Sequence, residues 1–157
     1  MKVLKTIGYW FLSLTWGALL SIPGLLVALF VIVFMHGKVH KNGLSFIVEV
    51  GGNWGGFNLG IISLCGGYTT RCPDEYWFQH TRRHEFGHSL QNLIWGPLML
   101  FVIVIPSVIR YWYQLSRARK GLPNREYDDI WFEGQATKWG TNFINNMELS
   151  DSTIYIV

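Results

Sequence analysis

The sequence predicts an α+β fold, mainly α, with at least one membrane helix. Three observations carry this expectation. An apolar run with no charged residue covers 7–35. A stretch with helix signals, 74–95, contains His84-Glu85-Phe86-Gly87-His88. Two short runs rich in β-branched and aromatic residues, 44–50 and 57–64, flank the glycine cluster of 51–56. The expected order is an N-terminal membrane helix, a β-hairpin, the helix carrying H-E-x-x-H, a second, broken apolar helix and a C-terminal helix. Residues 1–41 form the anchor. Residues 42–157 form one further domain, which includes the apolar helical segment 93–113.

Composition supports the membrane assignment. Half of the 157 residues are apolar, 15% are charged and eight are Trp. That is a lean polar surface for a water-soluble chain. A net charge of +3 is too small for the dense basic face of a nucleic-acid binder, so no nucleic-acid partner is expected. The aromatic residues cluster in apolar runs, as interfacial anchors do, which makes the lipid bilayer the expected partner.

The run 7–35 is long enough to cross a bilayer. Pro23-Gly24 near its middle predicts a kink in one anchor helix. A hairpin of two spans is disfavoured, since each half would have about fourteen residues against the roughly 20 needed. His36, Lys38, His40 and Lys41 mark its exit into the interface. Next, 44–50 and 57–64 read as a hairpin turning through the glycines. Cys65 and Cys72 enclose a glycine-containing loop, a spacing that permits a disulfide and equally suits two thiols. Pro73-Asp74-Glu75 starts the next helix, and Gly96-Pro97 stops it. Segment 93–113 is interrupted by Gly96-Pro97 and Pro106 and ends in Arg110 and the aromatic trio Tyr111-Trp112-Tyr113. A basic loop follows, then a helix over 128–146 and a polar tail that ends in a β-prone run at 153–157.

His84 and His88 are four residues apart, so on a helix they share a face and can point at one metal ion. Glu85 beside them can take a proton from a water at that metal. The motif resembles the zincin metallopeptidases. The longer run H-E-F-G-H-x-x-Q followed by Gly96-Pro97 is similar to small bacterial membrane proteins of that type. The resemblance covers about residues 54–140. It implies a Zn2+ cofactor, a peptide or protein substrate that can itself be a membrane protein, and residence in a bacterial inner (cytoplasmic) membrane.

A zincin needs a third protein ligand. The metzincin position for it is Ile94 here, where a His is required, so that subfamily is excluded. Gluzincins take a Glu from a later helix, and Glu133 is the candidate, with Asp128 or Asp129 as rivals. Gly134, Ala136 and Gly140 allow close helix approach. Thr137 stands where gluzincins commonly have an Asp that orients a ligand His, and with Asp129 it is a candidate for that supporting role. His80 shares the stripe of His84 and His88. The outer pair would lie about 12 Å apart, so His80 is a polar partner or solvated. His36 and His40 have ligand-like spacing but no carboxylate, and read as interfacial. Arg82 and Arg83 read as solvated or facing headgroups. Tyr127 is a candidate electrophile only through its nearness to Glu133. The 57–64 strand can align substrate, as zincin edge strands do, or be plain sheet.

Topology constrains this set. If 93–113 crossed the membrane fully, Glu133 would end on the far side from His84. The two prolines favour a segment that bends back. Positive charge beyond Arg110 favours a cytoplasmic C-terminal part, and Lys2 and Lys5 a cytoplasmic N-terminus, two assignments that a single crossing by the anchor sets in conflict; the expectation is a site at the cytoplasmic face. The functional expectation is a membrane-associated zinc metalloprotease of gluzincin-like type, with Glu85 catalytic and His84, His88 and Glu133 as ligands. Two alternatives stay open. One is an intramembrane site-2-type protease, although the chain has no L-D-G and no Asp in its second apolar run. The other is a non-catalytic membrane protein whose metal staples two helices.

Overall fold

A computed structural model of the chain describes residues 2–52, 54–66 and 75–148. It is mainly helical with one small mixed sheet, as the sequence predicts. Cys65 is buried on a strand, and Cys72 and the 153–157 run lie outside the described residues.

The N-terminal apolar run is two helices, not one kinked helix. α1 spans Lys2–Leu14 and α2 spans Ala18–Met35. The break falls at 15–17, and Pro23 sits inside α2. Tertiary contact explains the position. A Cβ on Gly17 would collide with the Asn92 side chain, whose amide donates to the Gly17 carbonyl at 3.3 Å. Thr15 also bonds back to the Phe11 carbonyl at 2.7 Å, a contact that competes with the helical ladder. In α2 the buried residues Leu20, Ser21, Gly24, Ala28 and Val31 form one stripe. Gly24 packs directly on the Leu59 carbonyl. The remaining faces expose large apolar side chains, among them Leu26, Phe30 and Phe34. At 18 residues, α2 is long and apolar enough to cross a membrane.

The predicted hairpin is replaced by two hairpins sharing one sheet. β1 (Lys38–Asn42) pairs antiparallel with β2 (Ser45–Glu49), and β3 (Gly56–Leu59) pairs antiparallel with β4 (Ile62–Cys65). β2 and β4 run parallel, giving the order β1-β2-β4-β3. β1 therefore straddles the expected boundary at 41/42. The reason lies in two glycines that the sequence reading passed over. Gly43 (φ 62°) and Gly60 (φ 67°) each open a two-residue loop, Gly43-Leu44 and Gly60-Ile61. Positive φ at only the first loop residue is what a type II′ hairpin turn needs. Gly51, Gly52 and Gly55 instead lie in the connection that carries the chain from β2 past β4 to the sheet edge, and Gly56 opens β3.

α3 spans Glu75–Trp95. Its buried Phe86 sits between Tyr9 of α1 (6.3 Å between ring centroids) and Phe143 (5.1 Å), and packs with Val48, Ile61 and Ile62 of the sheet. Arg82, half-buried, donates to the Lys41 carbonyl at 2.8 Å, while Asn42 donates to the Arg82 carbonyl at 2.8 Å. These bonds pin α3 to the β1–β2 turn.

Segment 93–113 bends as the sequence predicts. A 3-10 turn (Gly96–Leu98) and a π-helical turn (Leu100–Val104) separate α3 from α4, Ile105–Arg119. The two helical stretches meet at 114°. Gly96 takes φ 49° against the Trp16 indole, where a Cβ would clash. Pro106 does not break the chain; it occupies the first turn of α4, where no donor is needed. Arg110 then donates to the Glu126 carbonyl at 2.7 Å, and Arg117 to the Pro123 carbonyl at 2.8 Å. The returning segment 123–127 is thereby laid back along α4.

α5 spans Trp131–Glu148, starting after a 3-10 turn at Tyr127–Asp129. It crosses α3 in direct backbone contact. A Cβ on Gly87 would strike the Ala136 carbonyl, and one on Gly140 would strike the Arg83 carbonyl. Of the small residues expected to permit this approach, Ala136 and Gly140 are at the crossing, Gly134 faces the Asp128 carbonyl instead, and Gly87 of the motif is the other half.

Candidate metal centre

The α3–α5 crossing brings His84, His88 and Glu133 together. The two Nε2 atoms lie 3.1 Å apart, and each lies 3.1 Å from Glu133 Oε2. All three residues are buried, and Glu133 has no solvent exposure. Among the described residues this is the cluster of potential ligands that can hold a metal ion.

The donor set fits such an ion on two counts. Ligands about 2.0–2.1 Å from a tetrahedral zinc stand roughly 3.3 Å from one another, close to the spacing here. Protons alone serve the triangle poorly. Each Nε2 faces both the other and one shared oxygen, so hydrogen bonds cannot satisfy all three edges. Two further buried atoms, Glu133 Oε1 and Glu85 Oε2, have no hydrogen-bond partner among the described residues. Buried carboxylate oxygens in that condition are costly unless a cation or donor reaches them.

Each imidazole is held through its other nitrogen. His84 Nδ1 lies 2.8 Å from Thr137 Oγ1 and 3.9 Å from Asp128 Oδ1. His88 Nδ1 lies 2.7 Å from Gln91 Oε1. An Nδ1–H donating in both cases leaves Nε2 free to ligate. Thr137 thus occupies the supporting position expected of it. Asp129 does not: it is exposed, and Asp128 on the neighbouring position is the acid near His84. A 3-10 turn, not helix, at 127–129 rotates the two acids relative to the helical register assumed from sequence.

Charge follows the same geometry. Burial tends to raise the Glu133 pKa, but the two imidazoles outweigh it and hold the carboxyl well below the usual range. For Glu85 burial wins, and its carboxyl is pushed up, with His84 and His88 pulling it partly back. Tyr127 is raised by burial and then by the Glu133 charge. Its ring stands edge-on to His84 at 6.1 Å, and its hydroxyl lies 3.0 Å from Ser107 Oγ. The Tyr127 candidate therefore does reach the site.

A cavity of about 680 Å³ opens onto the cluster. His84, Glu85 and His88 line it, together with residues of β3, α4 and Tyr127. His80 lines it too, its ring stacked 6.4 Å from that of His84. His40 pairs with Glu49 at 2.8 Å and lies away from this centre.

Sequence reasoning missed Gln91 and Asn58. Gln91 is fully buried. Its amide holds His88 and donates to the Phe132 carbonyl at 2.8 Å and to Gln135 Oε1 at 3.0 Å. Its spacing of three from His88 on one helix face was the available signal. Asn58 of β3 donates to Ser89 Oγ at 2.8 Å and lies 3.1 Å from the Glu85 carbonyl, tying the edge strand to the motif. Nothing in its sequence surroundings marked it.

No family model, curated protein or solved structure matches this chain.

Proposed function

We propose that the protein is a membrane-associated zinc metalloprotease of gluzincin-like type. The carrying observation is that the cavity reaches the buried His84–His88–Glu133 triangle on the side where Glu85 lies. A purely structural metal staple would need a closed fourth side, so the open cavity favours the hydrolase over the staple.

Zinc, when bound, supplies Lewis-acid polarisation of a carbonyl and acidifies water. The chain's own residues do the rest. Glu85 accepts a proton from the attacking water and returns it to the leaving amine nitrogen. The group that takes the proton first must also give it up in the second half of the reaction. Tyr127, which lines the cavity, would donate to the developing oxyanion.

The edge strand β3 presents the substrate. Leu59–Ile62 and Phe57–Leu64 are the bonded pairs flanking the two-residue loop, so Gly56 and Asn58 turn their backbone N–H and C=O away from β4. An extended peptide can pair with that free edge. Gly56 also leaves room for Glu85: a Cβ there would meet the carboxylate. α2 anchors the enzyme in the bilayer, with the bent segment returning to the same face.

The test is zinc content of the detergent-solubilised protein, together with cleavage of a membrane-protein mixture. The reading expects one zinc per chain, lost in Glu133→Ala and kept in Glu85→Gln, with cleavage abolished in both. Wild-type protein that takes up no zinc at neutral pH sinks it.

A further inference from the structure

The cavity has two unlike walls. One is the polar wall of β3 and α3. The other is a stripe of α4, formed by Val108, Tyr111, Leu115 and Ala118, with Ser107 and Gln114 beside it. These positions recur at helical spacing, so one continuous face of α4 looks across the cavity at the metal cluster. α4 itself carries no buried residue. Val108 and Tyr111 on its inner face stay exposed, although a helix in this position ordinarily buries such a stripe.

Two further observations define what fits there. No Lys or Arg lines the cavity among the described residues, and the only carboxylates are Glu85 and Asp128. Away from the metal cluster, an acidic side chain would find no Lys or Arg. The opposite face of α4 is also apolar: Ile105, Ile109 and Tyr113 are exposed and lie outside the cavity lining.

We propose that the groove between β3 and α4 selects an extended, uncharged segment of large apolar residues, and that Val108, Tyr111 and Leu115 are its specificity-determining residues. The inference rests on the hydrolase reading of the metal centre. The β3 edge fixes the backbone of the bound segment. Side chains alternate along a strand, so every second residue of the segment faces the α4 stripe and is desolvated there. A charged residue at such a position would be buried without a partner, and this penalty against the wrong substrate gives the selectivity.

The test uses binding, not turnover. Three peptidyl hydroxamates of equal length, with Leu-Leu, Glu-Glu or Lys-Lys side chains, are titrated calorimetrically into the zinc-loaded, detergent-solubilised full chain. Acetohydroxamate serves as a probe of the metal alone. The Leu-Leu compound should bind at least tenfold more tightly than the other two. Val108→Asp and Leu115→Asp should remove that preference and leave acetohydroxamate binding unchanged. Ile109→Asp, on the outer face, should leave the preference intact. Equal binding of the three peptides alongside normal acetohydroxamate binding overturns the inference alone. Failure of acetohydroxamate to bind overturns the metal-centre reading, and this inference with it. A preference that survives both inner-face variants also overturns the assignment to α4.

Discussion

Gln91 and His88 form the hinge of the centre. Gln91 Oε1 lies 2.7 Å from His88 Nδ1, while its amide nitrogen donates to the Phe132 carbonyl at 2.8 Å. One buried side chain thus orients a candidate ligand and anchors the backbone immediately before another, Glu133. Replacing Gln91 with Leu removes both bonds and leaves a buried carbonyl unpaired. Zinc affinity, measured by competition with a chromophoric chelator, should fall roughly 10–100-fold. Thr137→Val should cost less, because Asp128 remains 3.9 Å from His84 Nδ1. Equal losses in the two variants would contradict this ranking.

The α3–α5 crossing depends on missing side chains. A methyl group at Gly87 meets the Ala136 carbonyl, and one at Gly140 meets the Arg83 carbonyl. Both obstacles are backbone, so the helices must separate. Overpacking of this kind costs about 1–3 kcal/mol. Gly87→Ala and Gly140→Ala should each lower Tm and release zinc, since Glu133 moves away from the histidines. A variant with normal zinc content would show that the crossing tolerates the extra carbon.

Gly56→Ala should behave differently. The added carbon meets the Glu85 carboxylate, not a ligand atom. The expectation is normal zinc stoichiometry with a strongly reduced cleavage rate. Loss of zinc in parallel with rate would mean that β3 supports the metal triangle rather than Glu85.

Metal removal should destabilise the fold. Without a cation, the buried carboxylate of Glu133 and two imidazoles share one contact. Binding to the native state contributes about 2.7 kcal/mol when free metal is at 100 times Kd. Chelation should therefore lower Tm by several degrees, and added zinc should restore it. The Glu133→Ala variant should show neither response.

The membrane role of α2 is tested on its outward face. Leu26 and Phe30 are exposed in the protein. Lys at the centre of a spanning helix costs roughly 2.5–3.5 kcal/mol per residue. The double substitution Leu26→Lys, Phe30→Lys should shift the chain out of the alkali-resistant membrane fraction. If α2 merely lies on a water-exposed surface, the distribution will not change.

The sequence by itself determined what local chemistry and period can determine. The spacing of His84 and His88 puts two imidazoles on one helix face. Gly96-Pro97 forces α3 to stop, and the uncharged 7–35 run contains a helix long enough to span. Glu133 was legible because small residues surround it on a helix, and helix contact requires them. Long-range contact decided the rest. The break between α1 and α2 follows Asn92 against Gly17, 75 residues away in the chain, while the nearer Pro23 signal is overridden. The parallel pairing of β2 with β4 depends on where the crossover delivers β3, and alternation within a strand carries no such information. Asp128 replaces Asp129 near His84 because a 3-10 turn changes the angle between successive residues. The inward face of α4 acquires its meaning only from the 114° bend, which turns an apolar stripe toward the metal centre.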